Sequence, residues 1–236
     1  MISLTPGTRG QMGDSVSIVV PTKFEDIFTQ LAESVARLET FQCRKIAVVD
    51  GDWMAPAPWI TVRGVDPFIF ARNANLGIRA AGEDDVLLCN DDVTWRHQRT
   101  VEYLQKVASA TGVGIVSPQF DGGAANPLQM RNRQRINVAT VSQGHLAFVC
   151  VYIPRRTIDA VGPMDERFVG YGGDDVDYCL SVQAAGLKLV VTNMATMRHG
   201  FGRGEYSSSF LRVMQPGERE RSMLRMDGLV RDKWAK

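Results

Sequence analysis

Apolar runs of strand length alternate with amphipathic helical segments through the first half of the chain. The run VSIVV at 16–20 ends at Pro21, and the segment 25–38 that follows repeats its apolar residues with helical spacing. Thirty residues separate Val20 from Asp50, which suits a strand, a helix and a second strand. The chain is therefore predicted to be an α/β protein with a mostly parallel, Rossmann-like sheet flanked by helices.

The same patterns predict the remaining elements and their order. Strands are predicted at 45–50, 59–63, 85–92 and 113–118, and helices at 71–82 and 100–110. The second half is predicted to contain a turn-rich loop or hairpin at 121–138, strands at 146–153 and 187–192, and helices at 155–161 and 174–185. No linker is evident, so residues 1–236 are predicted as one domain with a core at about 15–200 and a helical C-terminal appendage at 205–236.

The net charge, the N-terminal residues and the cysteines indicate which classes of protein the chain can belong to. The 27 basic and 26 acidic residues nearly cancel, so no overall field attracts nucleic acid or a membrane. The N-terminus lacks a basic stretch followed by an apolar core, so it does not resemble a signal peptide. The uncharged run 136–154 has polar residues at its centre and is predicted as buried strand and loop. Four separated cysteines without a CxxC motif are typical of reduced core thiols, so a cytoplasmic protein is expected.

Polar residues follow three of the predicted strands at the point where each strand ends. They are Pro21-Thr22, Asp50 and the triplet Asn90-Asp91-Asp92. Ligands of open parallel sheets bind beyond the carboxyl ends of the strands. Each group alone also fits a turn or a helix cap, but the convergence of three favours a ligand site at one edge of the sheet.

His199 is one of only three histidines, and it stands between a predicted strand and a glycine-rich loop. A single histidine is more often structural or exposed than a metal ligand. Together, however, Asp92 and His199 would offer an oxygen and a nitrogen ligand to Mn²⁺ or Mg²⁺. A phosphate-bearing substrate and water would supply the remaining ligands.

The segment GYGGDDVDYCL at 170–180 places three acids within four positions, directly after a glycine-rich turn. A helix that begins near Asp174 would favour ionised acids through its N-terminal dipole. Consecutive helical side chains diverge by about 100°, so Asp174 and Asp175 cannot serve the same atom. One of them can enter a cleft while the other caps or orients. The alternative is an acidic first turn on a surface helix.

These segments together resemble the inverting glycosyltransferases of the GT-A fold, the large family two that uses nucleotide-activated sugars. The resemblance covers roughly residues 15–200 and is carried, in order, by SIVVPT, VVDGD, ARNANLGIRAA, LLCNDDV, the block at 162–186 and the His199 segment. The block at 162–186 is similar to the family pattern GxfDExFf…EDxDlxxRxxxxG and is the most specific of these matches.

The resemblance implies a nucleotide site at the first strands and the first helix that follows them. The positions that would border the nucleobase and ribose are Pro21, Thr22 and Asp50, while Arg72 would approach the nucleotide. The pair Lys23-Phe24 departs from the family, which often has an aromatic residue and Asn after Pro-Thr.

The resemblance also implies the catalytic and metal residues. Asp92 would bind the metal with Asp91 near the ribose or sugar, and His199 would match the later metal-binding histidine. Asp175 matches the catalytic base of the family, and Asp174 replaces its glutamate. Asn90 stands where many relatives have the first Asp of a DxD motif, which predicts a lower metal affinity.

The activity implied by the resemblance is transfer of a sugar from a UDP- or dTDP-sugar to a hydroxyl of a glycan, a lipid-linked sugar or a protein. The leaving diphosphate gathers negative charge, which a divalent cation neutralises. Asp175 would remove the proton from the acceptor hydroxyl. One base without an enzyme nucleophile implies inversion at the anomeric carbon.

Two other functions are left open. LTPGTRG at 4–10 is similar to the phosphate loop of sugar-phosphate nucleotidyltransferases, although residues 1–3 are too few for the strand that precedes such a loop. The second alternative is a catalytically silent nucleotide-sugar-binding or assembly protein of the same fold.

Two basic features have no assigned function. Arg131, Arg133 and Arg135 alternate, so a strand there would place all three on one face, either to grip an anionic donor or acceptor or as a solvated edge. The tail at 217–236 is predicted as a charged helix with an apolar stripe. It could lie on a membrane or on another subunit, and the acids among its bases favour a homo-oligomer.

Overall fold

Nine strands form one sheet in the part of the chain that the computed structural model describes, residues 15–122, 124, 126–131, 137–200 and 212–235. The strands are β1 (Val16–Thr22), β2 (Arg44–Val49), β3 (Ile60–Arg63), β4 (Asp85–Cys89), β5 (Val93–Trp95), β6 (Val113–Asp121), β7 (Val138–Thr140), β8 (Cys150–Ile153) and β9 (Lys188–His199). The helices are α1 (Glu25–Leu38), α2 (Phe70–Ala81), α3 (Thr100–Ala108), α4 (Arg155–Val161), α5 (Asp174–Ala184) and α6 (Glu218–Trp234), with a 3-10 turn at Pro127–Gln129.

The strand order is β3-β2-β1-β4-β8-β6-β9-β5, and β7 also pairs with β9. The neighbours β3, β2, β1 and β4 are parallel, as are β6 and β9. β8 runs antiparallel to β4 and β6, and β5 and β7 run antiparallel to β9. Six of the nine described strands therefore point the same way. The predicted α/β fold with a helix-flanked sheet and a C-terminal helix is confirmed, and the sheet is mixed in its second half.

Alternate side chains of the central strands enter two cores on opposite faces of the sheet. Ile18 and Val20 of β1 belong to the core that contains Phe28 of α1. Val19, which lies between them, belongs to the other core with Ile78 of α2. Successive side chains of a strand point to opposite faces, so a strand covered on both sides needs an unbroken apolar run.

The predicted elements occur in the predicted order, but several strands differ from the prediction. The strand predicted at 85–92 ends at Cys89, and the strand predicted at 187–192 continues to His199 as β9. The strand predicted at 146–153 begins only at Cys150. β5 and β7 are not among the predicted strands, because three residues are too few to show a hydrophobic period.

Some of the predicted features lie outside the described residues: the segment 4–10, Arg133, Arg135 and the first part of the appendage, 205–211. Arg131 is described, and its Nη1 lies 3.1 Å from Oδ2 of Asp121 at the end of β6. No helix within the described ranges combines the length and the hydropathy needed to cross a membrane.

Candidate functional site

The carboxyl ends of β1, β2, β4, β6 and β9 lie at the same edge of the sheet, because these strands share one direction. A cavity of about 490 Å³ is formed there by residues from the strand ends, α5 and α6. Of the predicted site residues, those that line it are Pro21, Asp91, Asp174, Asp175 and His199. Segments that are far apart in the sequence therefore meet around one cavity. The predicted site residues that do not line it are Thr22, Asp50, Arg72 and Asp92.

Thr22 and Asp91 form a buried pair between the ends of β1 and β4. The hydroxyl Oγ1 of Thr22 donates a hydrogen bond to Oδ2 of Asp91 at 2.8 Å. Thr22 is fully buried and Asp91 is 2% exposed. A buried carboxylate is stable only when its oxygens accept hydrogen bonds. Thr22 therefore orients Asp91 in the cavity wall instead of lining the cavity itself.

Asp92 and His199 are brought together by the pairing of β5 with β9. Val93, the residue after Asp92, is the strand partner of His199, and the N–H of Gly200 donates to the carbonyl of Asp92 at 2.8 Å. Oδ2 of Asp92 lies 3.6 Å from Nε2 of His199. Gly122, directly after β6, packs against the backbone of His199. A Cβ at this position would lie 2.6 Å from the carbonyl oxygen of His199, so a glycine is needed there.

The atoms of this pair are of types that ligate divalent cations. Carboxylate oxygen is a preferred ligand of Mg²⁺ and Mn²⁺, whereas imidazole nitrogen is typical of divalent transition metals such as Zn²⁺ and Fe²⁺. Metal–ligand distances are about 2.0–2.2 Å, so two atoms 3.6 Å apart can contact the same cation. Within the described ranges no group of three or more His, Cys, Asp or Glu side chains is placed to hold a metal. Such sparse protein ligation is usual where substrate phosphates and water complete the shell.

The acid pair begins α5. Asp174 follows Gly172-Gly173, where φ is 85° at both glycines, a left-handed value that favours glycine. Oδ1 of Asp175 accepts the N–H of Val176 at 2.8 Å. Burial, reinforced by repulsion from Asp175, raises the pKa of Asp174 to about 7. Burial also raises the pKa of Asp175, against the opposing effect of His145.

The third acid of the cluster, Asp177, has structural partners. It is 2% exposed and accepts hydrogen bonds from Nζ of Lys233 and Nε1 of Trp234, both at 2.8 Å. Lys233 also contacts Asp165 at 3.0 Å. These contacts tie the end of α6 to α5, and they explain one of the three crowded acids without any role in chemistry.

The C-terminal helix α6, predicted as an appendage, forms part of the cavity wall. Ser222 and Met226 are buried against the loop at 170–173. Oγ of Ser222 accepts the backbone N–H of Tyr171 at 2.6 Å. The residues of α6 that line the cavity are Arg219, Met223 and Asp227. The helix therefore holds the glycine loop that precedes the acid pair.

Asp50 and Arg72 are not among the lining residues. Asp50 is buried at the end of β2, with its Oδ2 3.5 Å from Nζ of Lys23, and burial raises its pKa. Arg72 in α2 lies 3.5 Å from Glu166. Lys23, which departs from the family pattern, is thus the partner of Asp50. A nucleotide contact by Asp50 or Arg72 stays a prediction.

Five polar residues line the cavity without being among the predicted site residues: Asn90, His145, Tyr171, Arg219 and Asp227. His145 offers a sequence signal, since it is one of three histidines and stands within the uncharged run 136–154. The charged residues of α6 that line the cavity offer no such signal in the sequence. Acids and bases alternate along this helix, so its periodicity does not show which face meets a cleft.

Comparison with known proteins bears on the fold. No family model matches the chain. The uncharacterised protein y4gI of Sinorhizobium fredii (strain NBRC 101917 / NGR234) is 23% identical over 226 residues, which cover 78% of this chain and 24% of that protein. A solved structure of GalNAc-T7 with UDP, GalNAc and Mn²⁺ matches with a TM-score of 0.66 and 11% identity, over 94% of this chain and 50% of that chain. The chain thus spans no more than half the length of these two proteins, and the structural likeness shows a GT-A-like fold.

Proposed function

We propose that this protein transfers a sugar from a nucleoside-diphosphate sugar, a UDP- or dTDP-sugar, to an acceptor hydroxyl with inversion, using Mn²⁺ or Mg²⁺. The observation that carries the proposal is one cavity with His199, backed by Asp92, in one wall and Asp174-Asp175 in another. The fold that the chain shares with a structure containing UDP, GalNAc and Mn²⁺ supports a nucleotide-sugar donor.

At the donor end, Asp92 and His199 would hold the cation. When bound, a divalent cation neutralises the negative charge that gathers on the leaving diphosphate. The Asp92 carboxylate is fully buried and the His199 side chain is 12% exposed, so both act where water screens charge poorly. Asp91, oriented by Thr22, offers carboxylate oxygens to hydroxyl groups of the ribose or sugar.

At the acceptor end, Asp175 would remove the proton of the attacking hydroxyl. The N–H of Val176 fixes its carboxylate, and burial raises its pKa, which strengthens it as a base. The proton passes from the acceptor oxygen to Asp175 as that oxygen bonds to the anomeric carbon and the diphosphate leaves. A single displacement of this kind inverts the configuration.

Donor binding and product configuration test the proposal. Calorimetric titration with UDP- and dTDP-sugars should show binding in Mn²⁺ that EDTA removes. The donor that binds is then offered with glycan, lipid-linked and peptide acceptors, and proton NMR reports the anomeric configuration of the product. A retained configuration would contradict Asp175 as the base of a single displacement. Donor binding without transfer or donor hydrolysis would favour the silent binding protein, and no donor binding would contradict the proposal.

A further inference from the structure

The lining of the cavity carries more acidic than basic side chains. The carboxyl groups come from Asp91, Asp174, Asp175 and Asp227. Among the lining residues in the described part of the chain, Arg219 of α6 is the one lysine or arginine. Like charges at short range repel. A doubly phosphorylated ligand in this cavity is therefore repelled by the carboxylates, and a cationic side chain in the wall offsets that repulsion.

Tyr171 holds Arg219 at the cavity. The guanidinium carbon of Arg219 lies 4.8 Å from the centre of the Tyr171 ring, and its Nη2 donates to the Tyr171 hydroxyl at 3.2 Å. Tyr171 is itself fixed through its backbone N–H, which donates to Ser222. A guanidinium has five N–H donors. Its hydrogen bond to Tyr171 uses one of them.

We propose that Arg219 binds phosphoryl oxygens of the ligand in this cavity. The identity of that ligand rests on the function proposed above, in which these oxygens belong to the donor diphosphate. The planar fork of a guanidinium matches phosphate oxygens. Stacking on Tyr171 also fixes the side chain before the ligand arrives, which lowers the entropy lost on binding. A phosphorylated acceptor would present the same oxygens to the same arginine.

Calorimetry with sodium pyrophosphate in Mg²⁺ tests the proposal on the full chain. Arg219→Gln should weaken pyrophosphate binding by about tenfold or more, the usual loss for a charge-assisted hydrogen bond. Arg219→Lys, which keeps the charge but not the fork, should lose less. Arg225→Gln is the matched control, because Arg225 is an exposed arginine of the same helix outside the cavity lining. Thermal unfolding of each variant checks that the fold is kept.

Titrations with UDP and uridine identify the source of the phosphoryl group. If Arg219 holds the donor diphosphate, Arg219→Gln weakens UDP but not uridine, and protein saturated with UDP no longer binds pyrophosphate. If the group belongs to an acceptor, UDP affinity is unchanged, and UDP-saturated protein still binds pyrophosphate through Arg219. Unchanged affinity of Arg219→Gln for both pyrophosphate and UDP would overturn the proposal but not the glycosyltransferase function. Absence of nucleotide-sugar binding by the unaltered protein would overturn the function itself.

Discussion

Ser222 Oγ lies 2.6 Å from the backbone nitrogen of Tyr171 and accepts its hydrogen bond, which joins the C-terminal helix to the loop before the acid pair. A Cβ at the neighbouring Gly170 would collide with the same oxygen. The backbone of the loop and the side chain of the helix are thus in direct contact, and a displacement of either one moves the other.

Gly170→Ala should lower the free energy of unfolding by about 1–3 kcal/mol, the usual cost of overfilling a packed contact. The φ of Gly170 is not positive, so alanine meets no backbone strain and the loss reports the collision. Urea unfolding measures it. In a Ser222→Ala background the same substitution should cost less, because the colliding oxygen is gone. An equal cost in both backgrounds would contradict the contact.

Removal of residues 216–236 should leave the sheet folded, because the two cores are built from upstream residues. Donor binding should be lost, since the cavity loses the wall formed by α6 and Asp177 loses its partners. Circular dichroism and calorimetry report the two effects separately, and light scattering shows whether α6 supports an oligomer. A truncated chain that is unfolded would show that α6 belongs to the core.

Asp92→Asn and His199→Gln should each weaken Mn²⁺-dependent donor binding by roughly tenfold or more, because each removes a charged or strong ligand. His97→Gln is the control, since His97 contacts Thr196 at 2.5 Å and does not line the cavity. Calorimetry in Mn²⁺ and again in EDTA isolates the metal-dependent part. If both variants keep the affinity of the unaltered protein, the proposed metal pair is wrong.

Asp175→Asn should reduce the transfer rate by about 10²-fold or more, the usual contribution of a positioned base. Donor affinity should survive, because neither the proposed metal pair nor Arg219 depends on this carboxylate. Asp174→Asn should cost less. Asp177→Asn serves as control, since this buried acid anchors α6 and should affect stability more than chemistry. A larger loss of initial rate from Asp174→Asn than from Asp175→Asn would exchange their roles.

Stability in the absence of metal should fall as the pH rises from about 4 to about 7. An aspartate in the unfolded chain has a pKa near 4, whereas the pKa of Asp174 in the folded protein is raised to about 7 by burial and by Asp175. The folded protein therefore binds this proton more tightly, and the contribution is complete below the unfolded pKa and lost as the pH passes the folded one. Urea unfolding in EDTA across this range measures the fall. Asp174→Asn should make the fall smaller without abolishing it, because burial also raises the pKa of Asp175 and of Asp50. An unchanged slope in the variant would contradict the shift.

Elements with a long hydrophobic period could be predicted from local sequence. α1 occupies the predicted range 25–38, because its apolar spacing fills four turns of helix. β5 could not be predicted, since its three residues, 93–95, show no period and its partner lies in the final strand. This short strand is nevertheless the element that places Asp92 beside His199.

Some features of the candidate site could likewise be predicted from local sequence, and others could not. The residues at the strand ends and the acid pair could be recognised in the sequence. At both places glycine and carboxylates interrupt apolar runs. The wall formed by α6 depends on the docking of a helix far along the chain from the residues it contacts. The hydrogen bonding of Asp177 by Lys233 and Trp234 is such a contact, and so is the stacking of Arg219 on Tyr171. Tertiary packing, which has no local signal, decides these features.

The pairing of β9 also determines when Asp92 and His199, the proposed metal pair, can come together. β9 pairs with β6 on one edge and with β7 and β5 on the other, and His199 is its last residue. Contacts between residues so far apart in sequence carry a high loop-closure cost and slow folding. A growing chain that has not reached residue 199 lacks half of the pair, however well its first strands have formed. If the proposed pair binds a cation, that capacity would arise only with the closing of the sheet, and metal affinity would report that the last strand has joined.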